Sequence, residues 1–211
     1  MTLNQTGGRG RRGRPWVMPP GNFAGTLIMR PAEPPPVMAL RSFVAALALR
    51  DALGQAAGDW GGLSLKWPNG VLLNGGKVAG ILLEGSNGPG AYLAIGIGVN
   101  LAAVPEGGEI EPRAVPPVSL RGETGAEVTP ADFLTLLARA WAHWEAVFTV
   151  QGFAPVREAW LARAARLGER ITARTGREEV EGRFETVDAT GALVLATAAG
   201  RRAIPAADVY F

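Results

Sequence analysis

Three short segments of the chain hold residues whose types and spacing could do chemistry. The first, Gln5-Thr6-Gly7-Gly8-Arg9-Gly10-Arg11-Arg12-Gly13-Arg14-Pro15-Trp16, interleaves glycine and arginine. Glycine lets backbone N–H groups come close to an anion, and guanidinium forks match phosphate and carboxylate. Alone, the same composition also describes an Arg-Gly tail that binds RNA. The second segment runs Lys66-Trp67-Pro68-Asn69-Gly70 and continues through Asn74-Gly75-Gly76 to Lys77 and Gly80. Two ammonium groups facing one half-buried pocket suit a reaction that brings a carboxylate to a triphosphate. A plain hairpin with both lysines in water is the competing reading. The third, Gly96-Ile97-Gly98-Val99-Asn100, puts small residues where a flat ligand could lie against backbone, with an amide to bond a ring edge.

The elements that must position these groups follow from periodicity. Ala24–Arg30 reads as a short apolar strand, ended by a proline-rich turn at Pro31–Pro36. From Met38 to about Ala57 the apolar spacing is helical. Leu63–Trp67, Val71–Leu73 and Val78–Leu83 are compact apolar runs, with Asn74-Gly75-Gly76 as a hairpin signal. Ala91–Leu101 is a further buried strand, and 104–128 is a long Pro/Gly/Glu-rich connection. Thr129 reads as the N-cap of a helix to about Val150, with Phe133, Leu136, Leu137, Trp141, Trp144 and Phe148 on its inner face. A second helix spans Ala154 to about Leu167, and His143 reads as a surface or packing residue. Five short strands follow: Arg170–Thr175, Glu179–Val187, Ala192–Thr197, Arg201–Pro205 and Asp208–Phe211. Such spacing predicts a small barrel. The expected organisation is an α/β (α+β) domain over 1–167, a mixed β-sheet with flanking helices, and a small SH3-like β-barrel over 168–211.

Composition narrows the chemistry. The 211 residues include no cysteine and a single histidine, so thiolate metal sites and a Ser-His-Asp triad are not expected. No apolar run reaches the roughly 18–20 residues of a membrane-spanning helix, and no signal-peptide core follows the basic start, so a cytoplasmic location is expected. Net charge is only +2. Lysine is scarce and clustered: beside 19 arginines stand only Lys66 and Lys77. Codon bias explains the scarcity but not the clustering.

Together and in this order, the GRGRRGR loop, the KWPN…GK…AGIL hairpin and the GIGVN strand resemble the signature of the biotin–protein ligases, over essentially the whole chain. The resemblance implies an enzyme that activates biotin with ATP as biotinyl-5′-AMP and passes it to a lysine of a biotin carboxyl carrier protein. It implies catalytic roles for Lys77 and Arg11. Biotin would be held by Gln5, Arg9, Gly10, Arg11, Lys77 and Gly80. Nucleotide contacts would come from Arg14, Trp16, Lys66, Asn69 and Asn100 (the last at adenine), with Asn69 near Mg²⁺. Two departures accompany it. A Ser-Thr-Asn segment that precedes the loop in the family is expected to be absent, leaving a sheet edge uncovered. Gly70 stands where the pattern usually reads KWPND, which bears on metal and ATP handling. No winged-helix domain is expected ahead of the ligase core, hence no operator DNA; a monomer or homodimer is expected. Rival readings are a lipoate ligase, a biotin-binding remnant without turnover, and an Arg-Gly RNA-binding protein.

Overall fold

The computed structural model describes residues 1–58, 61–86, 88, 90–105 and 115–211. Its larger sheet holds β1 (Phe23–Met29), β2 (Leu63–Lys66), β3 (Gly70–Leu73), β4 (Gly76–Gly85) and β5 (Leu93–Val99) in the order β1-β5-β4-β3-β2. Neighbouring strands are antiparallel, and parallel pairing enters at isolated bridges, Leu65 to Ala164 and Lys77 to Pro117. The period-2 pattern of β5 divides the sheet into two faces: Leu93, Ile95, Ile97 and Val99 are buried in the core, and Ala94, Gly96 and Gly98 face the other way.

Helices cover the core face. These are α1 (Pro35–Ala39), α2 (Arg41–Ala56), α3 (Leu120–Thr124), α4 (Pro130–Gln151) and α5 (Phe153–Leu161). Thr129 caps α4 as expected, its hydroxyl accepting from the Asp132 N–H at 3.1 Å. The inner-face residues of α4 are buried or half-buried, and His143 is exposed, its ring 5.1 Å from that of Trp144. Trp160 of α5 is 1% exposed and meets Phe43 of α2 edge-to-face at 5.3 Å. Truncating it opens a large void, so Trp160→Ala is expected to cost about 3–5 kcal/mol in a denaturant titration.

Several boundaries differ from expectation, each for a local reason. Pro35 lies in the first turn of α1, where its fixed φ fits and no N–H is needed, so the proline-rich turn is partly helical. The expected single helix is interrupted at Leu40, between α1 and α2. The helix expected to reach Leu167 ends at Leu161, because the chain then pairs with β2: Leu65 N–H donates to Arg163 O at 2.8 Å, and Ala165 N–H to Leu65 O at 2.8 Å. Within the 104–128 connection, 106–114 lie outside the described residues, and α3 was not anticipated; Ser119 caps it by accepting from Gly122 N–H at 3.1 Å.

The second sheet contains β6 (Arg170–Arg174), β7 (Glu179–Val187), β8 (Leu193–Thr197), β9 (Gly200–Ile204) and β10 (Asp208–Tyr210), within two residues of the expected spans. It is an antiparallel meander whose last strand returns beside the first, in the order β10-β6-β7-β8-β9. No described helix is long and apolar enough to cross a membrane.

Candidate functional site

One row of paired residues crosses all five strands of the larger sheet: Lys66, Gly70, Gly80, Gly98 and Ala24. Directly paired residues share a face, so three glycines and an alanine form a trough with Lys66 at one end. Gly70, read from the sequence as a lost carboxylate, is thus part of the same small-residue row.

Lys77 reaches this face through a β-bulge. Pairing of β3 with β4 shifts between Val71 and Leu72, so that Val71 opposes Ala79 but Leu72 opposes Lys77. The extra residue, Val78, goes into the core beside Ala79. Without it, simple alternation from Gly80 would point Val78 at the trough and bury the lysine. A strap across residues 116–118 fixes the backbone there: Lys77 N–H donates to Pro116 O at 2.8 Å, and Val118 N–H to Lys77 O at 3.0 Å.

The Gly-Arg segment is no free tail. It folds on itself, Trp16 N–H donating to Gly8 O at 3.0 Å and Gly10 N–H to Arg14 O at 2.7 Å, with a single 3-10 turn at Arg11–Gly13. Its Trp16 ring lies on the trough floor. A Cβ built on Gly98 would sit 2.4 Å from Trp16 Cε2, and one on Gly80 3.3 Å from Cζ3. The Lys77 ammonium stands 5.8 Å from the indole centroid.

Loop and trough enclose a cavity of about 550 Å³. Among the residues singled out from the sequence, Gln5, Arg9, Gly10 and Arg11 line it, as do Arg14, Trp16, Asn69, Lys77 and Gly80. The Gln5 Oε1 is buried without a hydrogen-bond partner. Lys66 and Asn100 do not line the cavity. Lys66 donates to the Val209 carbonyl and lies 4.8 Å from the Phe211 ring centroid. Asn100 is 3% exposed, its amide N–H donating to Val118 O at 3.1 Å and its oxygen facing the Asn22 amide at 3.5 Å. In this arrangement Asn100 braces the strap behind Lys77 instead of facing the pocket.

Sequence reasoning missed Asp208. Its carboxylate lines the cavity and accepts from Arg12 Nη1 at 2.7 Å and Arg14 Nη2 at 2.8 Å, with Arg11 Nη1 3.9 Å away. No motif marks it; it joins the loop only through folding. The cations around it are crowded. Burial, then the charge of Lys77, hold the Lys66 ammonium down at about 8, against a partial lift from Asp208. Burial, then Arg14, lower Lys77, and burial is also the main cause lowering Arg11.

The residues present do not build a cage for a divalent cation. Among the described residues no three carboxylate or imidazole groups cluster, and Asp208 is engaged by arginines. The Asn69 amide donates to Ile81 O at 2.5 Å, leaving a neutral oxygen as its one ligand atom.

Over residues 1–100 the chain matches the Biotin/lipoate A/B protein ligase family, and over residues 167–211 the Biotin protein ligase C terminal domain. It is 62% identical over 213 residues to the biotin--[acetyl-CoA-carboxylase] ligase of Paracoccus denitrificans, covering 100% of this chain and 89% of that one. It is 30% identical over 208 residues to the bifunctional ligase/repressor BirA of Bacillus subtilis (strain 168), with 97% of this chain covered but only 63% of that protein. Among solved structures, the biotin protein ligase from Aquifex aeolicus in complex with biotin and ATP superposes with a TM-score of 0.84 at 25% identity, over 98% of this chain and 86% of that one.

Proposed function

Because the chain belongs to the biotin–protein ligase family, we propose that it is an ATP-dependent biotin ligase whose reaction takes place in the cavity between the Gly-Arg loop and the glycine trough. The observation that carries this reading is the convergence of Lys77, Arg11 and Arg14 on one cavity above a floor of small residues. A carboxylate is a poor acyl donor. Here a biotin carboxylate oxygen attacks the α-phosphorus of ATP, and the bond to the bridging oxygen breaks to release pyrophosphate. Negative charge builds on the phosphoryl oxygens, where fixed cations in a low-dielectric site stabilise it best.

Lys77, which the bulge turns into the cavity, would serve the junction of carboxylate and α-phosphate. Arg9, Gly10 and Arg11 cover the acid, and the unpartnered Gln5 oxygen suits a ureido N–H. Arg14, Asn69 and Trp16 line the nucleotide side, with Lys66 behind them as a source of positive field. Magnesium would arrive on the nucleotide's phosphates, because among the described residues no three carboxylate or imidazole groups cluster to hold it. The acyl-adenylate then waits beneath the loop, shielded from water, until a carrier-protein lysine attacks its carbonyl carbon and AMP leaves. Biotin carboxyl carrier protein is the proposed acceptor, and the cytoplasm the proposed compartment.

The test is biotin-dependent exchange of labelled pyrophosphate into ATP, with lipoate as the comparison acid. Exchange with biotin is the expected result. Exchange with lipoate alone would move the reading to a lipoate ligase, and none with either acid would leave a binding remnant.

Lys66 adds a pH signature. Its pKa is lowered to about 8, so it is charged below that pH and neutral above. The KM for ATP is therefore expected to rise as pH climbs through 8, and Lys66→Arg, charged throughout, should flatten that rise. Stability moves oppositely. A lysine whose folded pKa lies below its unfolded value costs stability while charged, and the cost is relieved between about pH 8 and 10.5.

A further inference from the structure

The backbone of Lys77 lies where the sheet loses a strand. β5 pairs with β4 as far as Val99 opposite Ala79, and the Asn100 N–H adds a bond to Val78 O at 2.9 Å. Beyond that point the chain leaves β4: the Asn100 and Leu101 carbonyls accept from the Leu120 and Arg121 N–H groups of α3, at 2.8 and 2.9 Å. β3 flanks Lys77 on one side, and the strap takes the side that β5 has left, with Pro117 bridged to Lys77. One buried side chain holds this departure. Asn22, the residue before β1, is 2% exposed. Its Oδ1 accepts from the Ala102 and Ala103 N–H groups at 2.9 and 3.1 Å, and its Nδ2 donates to Ala103 O at 2.8 Å.

We propose that Asn22 is a positioning residue for Lys77: it draws the chain off β4 at the end of β5, so that the strap covers the lysine's backbone and holds its ammonium at the reacting atoms. The inference rests on the reading of the cavity as an adenylation site. Three observations carry it. First, the path is continuous. Asn22 Nδ2 also faces Asn100 Oδ1 at 3.5 Å, which leaves Asn100 Nδ2 to donate to Val118 O at 3.1 Å, and the Val118 N–H donates to Lys77 O at 3.0 Å. Second, two backbone donors and one backbone acceptor meet a single buried amide, a set that only a side chain with both functions satisfies, and a partner lost there costs more than one lost in water. Third, the turn that carries Asn22 is fitted to the same place. The Asn22 N–H donates to Pro19 O at 3.2 Å, and Gly21, at φ 83°, comes so close that a Cβ there would stand 2.8 Å from the Ala102 Cβ. Take the amide away, and Ala102 and Ala103 lose their hold, the strap loosens, and the bulge that turns Lys77 into the cavity loses its brace.

The experiment compares the intact chain with Asn22→Ala, alone and combined with Lys77→Ala. Amide hydrogen exchange without substrates reads the strap at the Lys77 and Val118 N–H groups, and biotin-dependent pyrophosphate exchange gives kcat and the KM values for ATP and biotin. Asn22→Ala is expected to speed hydrogen exchange at both amides by about tenfold or more, while the Ile81 N–H, bonded to Asn69 O, stays as protected as in the wild type. The kcat should fall about tenfold, with both KM values unchanged. In the Lys77→Ala background the same substitution should cost less than about twofold, because the side chain it serves is gone. A full tenfold loss in that background, or unaltered hydrogen exchange at Lys77 and Val118, would overturn the proposal. So would a rise in the KM for ATP at unchanged kcat, which would assign the asparagine pair to the nucleotide. Should Asn22→Ala fail to fold, Asn100→Ala breaks the path one step later, at Val118, and is read by the same criteria. A wild-type chain without biotin-dependent exchange would refute the ligase reading, and hydrogen exchange at the two amides would still decide whether Asn22 holds the strap.

Discussion

Lys77→Ala is expected to lower biotin-dependent pyrophosphate exchange by about 10²–10³-fold at saturating ATP and biotin, the range seen when one preorganised group facing developing charge is deleted. The lysine's position explains why the loss should fall on kcat. The bulge aims its ammonium into the cavity, and the strap at Pro116 and Val118 holds the backbone beneath it. Those backbone bonds survive the substitution, so the fold should be retained. The ammonium is also poorly hydrated, with burial and then the charge of Arg14 lowering its pKa, so its field is not diluted by solvent. Lys77→Arg should recover little. A planar fork is longer than a compact ammonium, and the Trp16 ring, 5.8 Å from Nζ, limits where it can turn. The check is exchange measured at saturation, beside a thermal melt. A loss of less than tenfold in a folded Lys77→Ala protein would remove the lysine from the reaction.

How much of this was legible in the sequence depends on whether a feature is local. The second sheet was readable because turn residues bound each short strand, and α4 because a cap, a proline and a 3.6-residue apolar period coincide there. The motifs were readable as motifs. Their geometry was not, because it depends on pairing register: a strict alternation would have buried Lys77, and only the one-residue shift at Val71/Leu72 turns it outward. Asn100 illustrates the converse. Its type and place on a glycine-rich strand suggested a ring contact, but the amide is held by Val118 and faces Asn22, neither of which any local pattern connects to it. Asp208 had no signal at all, since a single carboxylate in a short C-terminal strand acquires meaning only when the loop folds against it. The trough itself lay between these cases. Gly70, Gly80 and Gly98 were visible separately, but their alignment in one row is a property of two registers.

That row supplies the second large expectation: Gly98→Val should lower kcat/KM for adenylation by about 10²-fold, the cost of a displacement near 1 Å at a reacting site. Glycine is needed here for space, not for conformation. A Cβ at this position would lie 2.4 Å from Trp16 Cε2 and 2.5 Å from Nε1, well inside the separation of about 3.5–4.0 Å at which carbon atoms pack. The strand cannot yield, because β5 is paired with β1 on one side and β4 on the other along its whole length. The indole must therefore move, and with it the loop that carries Arg11 and Arg14. Stability should change little, because the new side chain enters the cavity and leaves the core face of Ile97 and Val99 untouched. A double substitution separates this from a simple block of the ligand. If the glycine serves the indole, Trp16→Ala with Gly98→Val should be less impaired than the two single effects added together, with a coupling of about 0.5–3 kcal/mol. Additive losses would mean that the valine obstructs the substrate directly. The floor of the cavity would then be shaped for the ligand alone, with Trp16 resting on it only in the unliganded chain.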